Sequence, residues 1–254
     1  MIEFFQNLDW LIVGQIILID ILLGGDNAIL IALACRNLPE DLRIKGIIGG
    51  ALGAIALRIV LIAFAVTLLS IPLLKIVGGI LLLWIGIKLL IDEENNEEID
   101  GSERLITAIK TIIIADVVMS IDNVIAVAAA ADQAHAEYQM VLVTFGIMVS
   151  IPVVIWGSTI ILKIMDKMPS VVTMGGALLG YLGGAMISND IAIVDWVARY
   201  LPMDLLNFHN LSVHLSLTGT VGAILVVASG TWLNNAPVKN SDDSSEAAPP
   251  SDQA

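Results

Sequence analysis

The chain has 254 residues, of which 57% are hydrophobic and 15% charged, and apolar stretches long enough to cross a bilayer recur along it. A soluble domain would carry about 25% charged residues, so the composition predicts a polytopic helical membrane protein. Acidic residues outnumber basic ones by 25 to 12, which argues against a nucleic-acid partner, and the single cysteine excludes an intramolecular disulfide and a thiolate metal cluster.

The apolar stretches predict an all-α membrane protein with seven transmembrane helices in a domain over residues 1–233. In chain order the predicted helices are Leu8–Ala34, Gly46–Leu69, Pro72–Ile91, Leu105–Ala131, Gln139–Leu162, Ser170–Ser188 and Leu211–Leu233. An acidic linker, residues 92–103, follows the third helix. Residues 189–210 predict a short helix lying on the membrane, and residues 234–254 a disordered tail.

Two closely similar acidic motifs lie in the middle of the first and fourth predicted helices. They read Asp20-Ile-Leu-Leu-Gly-Gly-Asp26-Asn27 and, 96 positions later, Asp116-Val-Val-Met-Ser-Ile-Asp122-Asn123. An Asp near the bilayer centre costs roughly 2.5–3.5 kcal/mol on insertion scales. A hydrogen bond between transmembrane helices stabilises their association by only about 0.6 kcal/mol on average. Helix association alone therefore does not explain four buried acids, and the motifs predict a functional site.

The duplication extends over two three-helix units, residues 8–91 and 104–188. Pro72, Gly78-Gly79 and Gly86 recur 97 positions later as Pro169, Gly175-Gly176 and Gly183. Because three crossings are an odd number, the second unit enters from the opposite side, which predicts an inverted repeat followed by a seventh helix. Transporters of this layout bind substrate near the midplane, where both acidic motifs fall.

The distribution of basic residues predicts the orientation. Arg36, Arg43 and Lys45 follow the first helix, and Lys163 and Lys167 follow the fifth, whereas the loops after the second and fourth helices contain no Lys or Arg. The positive-inside rule then places the N-terminus outside and the C-terminus in the cytoplasm.

Several other residues lie close to the acidic motifs. Arg58 is halfway along the second predicted helix, too deep to reach an interface easily, so it is expected to pair with an Asp and to tune the charge of the empty site. Gly24 and Gly25 indicate either close helix packing or a local helix break. Met119, beside Ser120, could add a thioether ligand or simply pack in the core.

The candidate ligands supply only oxygen. They are the side chains of Asp20, Asp26, Asn27, Asp116, Asp122 and Asn123. Hard divalent cations such as Mn²⁺, Ca²⁺ and Mg²⁺ prefer oxygen, whereas Zn²⁺ and Cu⁺ favour His and Cys. Clustered carboxylates also repel one another and take up protons when no cation is bound, which favours cation–proton exchange. The metal is then the transported ion, and no prosthetic group is expected.

The paired Asp-Asn motifs in a seven-helix chain resemble those of the TerC family of integral membrane proteins, over about Leu8–Leu233. The family is named for tellurite resistance, and its bacterial members are associated with metal homeostasis, especially manganese export. The resemblance implies that Asp20, Asp26, Asn27, Asp116, Asp122 and Asn123 line the ion site, and it places Mn²⁺ above Ca²⁺ as cargo. The expected partners are a divalent metal ion and the lipid bilayer, and a homo-oligomer is compatible with the sequence.

Two other classes of protein are compatible with the sequence. An intramembrane aspartyl protease needs one Asp on each of two helices, not four Asp residues in a repeat with two Asn residues, so no enzymatic activity is expected. A membrane scaffold or assembly factor would use the acidic linker and tail for protein contacts, and would not need the midplane acids.

Overall fold

The computed structural model describes residues 10–64, 67–68, 71–91, 101–131, 139–200, 204–207 and 214–234, and these are almost entirely helical. The helices are α1 (Trp10–Leu23), α2 (Gly25–Cys35), α3 (Glu40–Ala63), α4 (Leu74–Leu90), α5 (Gly101–Ala131), α6 (Gln139–Lys167), α7 (Pro169–Ser188), α8 (Val194–Tyr200) and α9 (Leu217–Asn234). Two short strands, β1 (Asp204–Asn207) and β2 (His214–Ser216), pair antiparallel.

The helices include several that are long and apolar enough to cross a membrane. Among the described residues these are α3, α6, α7 and α9, and α1 and α2 together would make a fifth span with a bend of 47° between them. The 17 residues of α4 are apolar apart from two lysines. The 31 residues of α5 carry the second acidic motif. The chain is therefore a nearly all-helical, multi-pass membrane protein.

The second predicted helix is displaced toward the N-terminus. The predicted range is Gly46–Leu69, whereas α3 spans Glu40–Ala63. Pro39 lies at the N-cap, and Glu40 and Asp41 occupy the first turn, where negative charge suits the positive end of the helix dipole. A polar first turn thus extends the helix beyond its apolar stretch.

The segment before the last helix also differs from the prediction. The seventh helix begins at Leu217 and not at Leu211, because His214–Ser216 pairs with Asp204–Asn207 as a strand. The predicted short helix of residues 189–210 is present, but it covers only Val194–Tyr200. Of the acidic linker, residues 101–103 belong to α5, and residues 92–100 lie outside the described residues, as do residues 235–254 of the tail.

The helices pack crosswise between the two halves of the chain. The bent pair α1 and α2 packs on α6, α3 packs on α5, and α4 packs on α7, with α9 against both α4 and α7. The helices α4 and α7 approach each other closely. A Cβ added to Gly79 would lie 2.5 Å from the carbonyl oxygen of Gly183, and a Cβ added to Gly183 would lie 2.7 Å from that of Gly79. Glycine is therefore required on both sides of this crossing.

The α1–α6 and α3–α5 interfaces repeat the same contact. A Cβ added to Gly50 on α3 would lie 2.5 Å from Ile112 Cδ1 on α5, and one added to Gly146 on α6 would lie 2.5 Å from Ile16 Cγ2 on α1. Adding 96 to 50 gives 146, and adding 96 to 16 gives 112. The second contact is thus the first one with the two halves exchanged.

Asp190, just beyond the end of α7, caps the start of α4. Its two carboxylate oxygens accept backbone N–H groups from Leu73 (3.0 Å), Lys75 (3.0 Å), Ile76 (3.3 Å) and Ala192 (2.8 Å). Leu73 has a φ of 67°, which is costly for a non-glycine residue. The side chain is enclosed locally although it lies at the end of the bundle. Burial raises the pKa of Asp190, but the four N–H donors outweigh that effect and leave the pKa below its usual range.

Replacing Asp190 by Asn should destabilise the protein by about 1–3 kcal/mol, because an amide NH₂ would face backbone N–H donors. A lowered pKa means that the carboxylate stabilises the fold above its unfolded value of about 3.9, and that this stabilisation is lost as the pH falls through the folded value. Thermal unfolding of the detergent-purified protein at neutral and acidic pH measures both effects. Asp195→Asn, an exposed change on α8, is the control. Equal unfolding midpoints for the two variants at neutral pH would contradict the capping role.

Candidate functional site

A buried ion-pair triad links the two acidic motifs. The Arg58 guanidinium donates from Nη1 to Asp20 Oδ1 at 2.8 Å and from Nη2 to Asp116 Oδ1. All three residues are no more than 5% exposed. The predicted pairing of Arg58 is thus confirmed, and the guanidinium joins α3 to α1 of the first half and α5 of the second.

Two serines complete the hydrogen bonding of this triad. Ser120 Oγ accepts from Arg58 Nε at 3.0 Å and donates to Asp116 Oδ2 at 3.2 Å. The Ser150 hydroxyl on α6 donates to Asp20 Oδ2 and also lies 2.8 Å from the Ile147 carbonyl oxygen. Each carboxylate therefore has a bond to the guanidinium and a bond to a hydroxyl. A buried charge is tolerated when it is paired and hydrogen-bonded in this way.

The buried side chain of Asn27 lines the same cavity as the ion-pair triad. Its side chain is 3% exposed, and its Oδ1 is buried and has no hydrogen-bond partner among the described residues. Asn27, Asp20, Arg58, Asp116 and Ser150 line a common cavity of about 10 Å³. That volume is close to the minimum for one water molecule. A buried carbonyl oxygen beside two carboxylates suits a cation or a hydrogen-bond donor.

The first acidic motif contains a helix break. Gly24 separates α1 from α2, and a Cβ at this position would collide with the Asp20 carbonyl oxygen. Of the two interpretations of Gly24 and Gly25, the local break is the one observed. Gly25 is exposed, and a Cβ added to it would meet nothing within 4 Å. Asp26 therefore falls in the first turn of α2, where its Oδ1 accepts the Asn27 N–H at 2.9 Å.

The remaining predicted site residues lie around the cavity or beyond the described side chains. Asp26 and Asn123 are both half-buried, and neither lines the cavity. Met119 belongs to the buried apolar core, in agreement with the packing interpretation. Asp122 is on α5, but its side chain lies outside the described part of the structure. Among the described side chains, no group of three or more His, Cys, Asp or Glu residues is placed to hold a metal ion.

The charge balance of the triad explains why it is a candidate for ion exchange. With both acids ionised, the two carboxylates and one guanidinium would carry a formal net charge of −1 in this buried cavity. Breaking such a buried pair by removing one partner costs about 3–5 kcal/mol, although the intact triad adds little net stability. The carboxylates are therefore held in place by a positive group that another cation could replace.

Sequence reasoning missed Ser150. The position equivalent to Ser150 in the first half is Ala54, since 150 minus 96 is 54, so the repeat gave no signal. A single serine in an apolar helix usually bonds to its own backbone, as Ser158 does to the Val154 carbonyl oxygen at 2.7 Å. Only the three-dimensional approach of α6 to α1 distinguishes Ser150 from Ser158.

Comparison with known proteins finds related membrane proteins. The chain is 46% identical over 182 residues to the uncharacterized membrane protein YjbE of Bacillus subtilis, covering 72% of this chain and 81% of that protein. It is 30% identical over 162 residues to the UPF0053 inner membrane protein YgdQ of Escherichia coli K12, covering 55% and 66%. No solved structure matches the chain.

The family model described as "Integral membrane protein TerC family" matches residues 5–236, which include all the spans and both acidic motifs. The names of the similar proteins state a membrane location and no substrate. The chain therefore belongs to the TerC family of integral membrane proteins.

Proposed function

We propose that the protein is a secondary transporter, not an enzyme, that exports a divalent metal cation across the bacterial plasma membrane in exchange for protons. Mn²⁺ is the first candidate cargo. The observation that carries the proposal is the buried bridge from Arg58 to Asp20 and Asp116, with the unsatisfied oxygen of Asn27 on the same cavity. Acids of this kind within transmembrane segments mark ion and proton pathways.

The crosswise packing supports an inverted repeat of two three-helix units. Exchanging the halves turns the α1–α6 contact into the α3–α5 contact, and α4 and α7 pack on each other, as expected for halves related by a two-fold axis. Counting α4 and α5 as crossings gives seven spans. At 1.5 Å per residue, α4 is about 26 Å long, close to the thickness of the hydrocarbon core. The N-terminus would lie outside and the C-terminus in the cytoplasm.

The proposed exchange begins with the guanidinium acting as a tethered counter-charge. An entering cation displaces Arg58 from the two carboxylates and takes oxygen ligands from Asp20, Asp116 and Asn27. Asp26 on α2 and Asp122 and Asn123 on α5 follow Asp20 and Asp116 by six or seven residues, nearly two helical turns, and would add ligands as the site opens. When the cation leaves, protons and Arg58 return to the carboxylates. The closed cavity is too small to hold both the guanidinium and a hydrated ion.

Two considerations favour Mn²⁺. The ligand set is carboxylate and carboxamide oxygen, which suits Mn²⁺, Ca²⁺ or Mg²⁺ better than Zn²⁺ or Cu⁺. The association of TerC proteins with manganese export then places Mn²⁺ first among the oxygen-preferring ions.

Asp116→Asn should abolish export. We expect a manganese-sensitive host to contain less cellular manganese with the wild-type protein than with this variant, at matched membrane levels. Asp195→Asn makes the same chemical change at an exposed position and should behave as wild type. Elemental analysis measures manganese, magnesium, calcium, iron and zinc in the same cells.

The outcomes separate cargo from mechanism. If another metal falls and Asp116→Asn reverses that fall, the site is correct and the cargo is not manganese. If no metal differs between wild type and Asp116→Asn, the transport proposal fails and a scaffold or assembly role becomes the better explanation. Proteoliposomes loaded with a pH-sensitive dye test the exchange, since Mn²⁺ movement should drive protons the opposite way.

A further inference from the structure

A second polar pocket lies away from the acidic triad, at the end of the bundle where α2 and α4 end and α5 begins. Its volume is about 280 Å³. Leucine and alanine side chains of α2, α4 and α5 and of the loop after α2 form its apolar part. Polar groups from the same elements complete it: Asn37, Lys88, Arg104, Thr107 and Thr111.

This pocket has cationic side chains in its described lining. Its described lining has two cationic side chains, Lys88 and Arg104, and no carboxylate. Both cationic residues are half-buried, so an anion between them would be only partly screened by water. Asn37 and Thr107 offer hydrogen-bonding groups beside the cations, while Thr111 Oγ1 already donates to the Thr107 carbonyl oxygen at 2.9 Å. Two cations with neutral polar neighbours suit a phosphate group.

The surroundings of the pocket point to a ligand at the membrane surface. Lys88 Nζ lies 5.6 Å from the centre of the Trp84 ring, and Trp84 is 57% exposed on the apolar surface of α4. Trp and Lys side chains at the end of a transmembrane helix are typical of the headgroup region. Basic pockets between transmembrane helices at that depth bind anionic headgroups.

We propose that this pocket binds a phosphate-bearing anion between Lys88 and Arg104, with the phosphodiester headgroup of an anionic phospholipid as the occupant that the apolar part and Trp84 favour. The site is separate from the acidic triad, and the inference does not depend on the transport proposal. The bound headgroup would link the ends of α2, α4 and α5, and so would stabilise the packing of the two halves at this end.

The test is a titration of the detergent-purified full chain with phosphatidylglycerol, phosphatidylcholine or inorganic phosphate, followed by thermal unfolding. Phosphatidylglycerol should raise the unfolding midpoint of the wild-type protein more than phosphatidylcholine does. Lys88→Gln/Arg104→Gln should weaken the apparent affinity for phosphatidylglycerol by at least about tenfold, because two charge-assisted hydrogen bonds are lost. Lys45→Gln/Lys110→Gln removes the same charge from exposed positions on α3 and α5 and should respond as wild type.

Each outcome decides the proposal. A rise with inorganic phosphate alone that the pocket variant loses supports the phosphate site and identifies a soluble anion as sufficient. An equal response of the pocket variant and the wild type to phosphatidylglycerol overturns the proposal, as does the absence of any response in the wild type. If the double variant unfolds on purification, Lys88→Gln alone should retain less co-purified phosphatidylglycerol than Lys110→Gln, by lipid mass spectrometry. Equal retention in these two single variants would also overturn it.

Discussion

Replacing Arg58 by methionine should destabilise the protein by about 3–5 kcal/mol and abolish metal export. Methionine keeps much of the apolar stem but removes the positive charge, so Asp20 and Asp116 remain buried with only their serine partners. Thermal unfolding of the detergent-purified protein measures the first effect and cellular manganese the second. Arg199→Met, an exposed change on α8, is the control and should alter neither.

A triple variant separates stability from function. Arg58→Met/Asp20→Asn/Asp116→Asn removes the whole ion triad, and replacing a buried triad by neutral groups is often neutral or stabilising. It should therefore regain most of the stability that Arg58→Met loses, while export stays absent because the ion-binding carboxylates are gone. If the triple variant exported metal, the triad would be a structural element and the ion would cross elsewhere.

Moving the arginine from α3 to the equivalent position in the second half should restore much of the stability that is lost when Arg58 is replaced. The position equivalent to Arg58 in the second half is Val154, since 58 plus 96 is 154, and Val154 lines the same cavity as Asp20 and Asp116. Arg58→Val should unfold early for the reason given for Arg58→Met. In Arg58→Val/Val154→Arg, the guanidinium would approach the same two carboxylates from α6.

A double-mutant cycle measures the effect of moving the arginine from position 58 to position 154. We expect a favourable coupling energy of about 2–3 kcal/mol between the two substitutions, from the unfolding free energies of the four proteins. Val154→Arg alone should be destabilising, because it would place a second positive group in a cavity of about 10 Å³. Additive losses in the double variant would show that the two halves do not present equivalent faces to the cavity, and would count against the inverted repeat.

The residues of the acidic site that could be predicted from the sequence are those whose insertion into a membrane costs free energy. Inserting an Asp or Arg into an apolar span costs free energy, so Asp20, Asp116 and Arg58 stand out in the sequence. Opposite charges at the same depth of the membrane are expected to form ion pairs. Ser150 carries no comparable cost, because a serine can satisfy itself on its own helix. The sequence therefore predicted the ionic part of the site and missed one of its neutral hydrogen-bond donors.

The errors in the fold have a similar origin. Hydropathy locates apolar stretches, so it does not register the polar first turn at Glu40–Arg43, which lengthens α3. In this turn, Arg43 donates hydrogen bonds to Asp166 on α6 at 2.9 Å and to the carbonyl oxygens of Arg36 and Leu38. These contacts depend on the tertiary fold, so hydropathy does not predict them. The strand His214–Ser216 likewise depends on a partner strand several residues away.

The helix break at Gly24 has no counterpart in the second half. The equivalent position is Ser120, since 24 plus 96 is 120, and there α5 continues without interruption through a hydroxyl that holds Asp116. Perfectly symmetric halves would give the inward-facing and outward-facing states equal free energy. In the proposed transporter, a broken helix in one half and a continuous helix in the other would remove that degeneracy. The empty protein would then have a preferred resting orientation, while ion gradients would still set the direction of net flux.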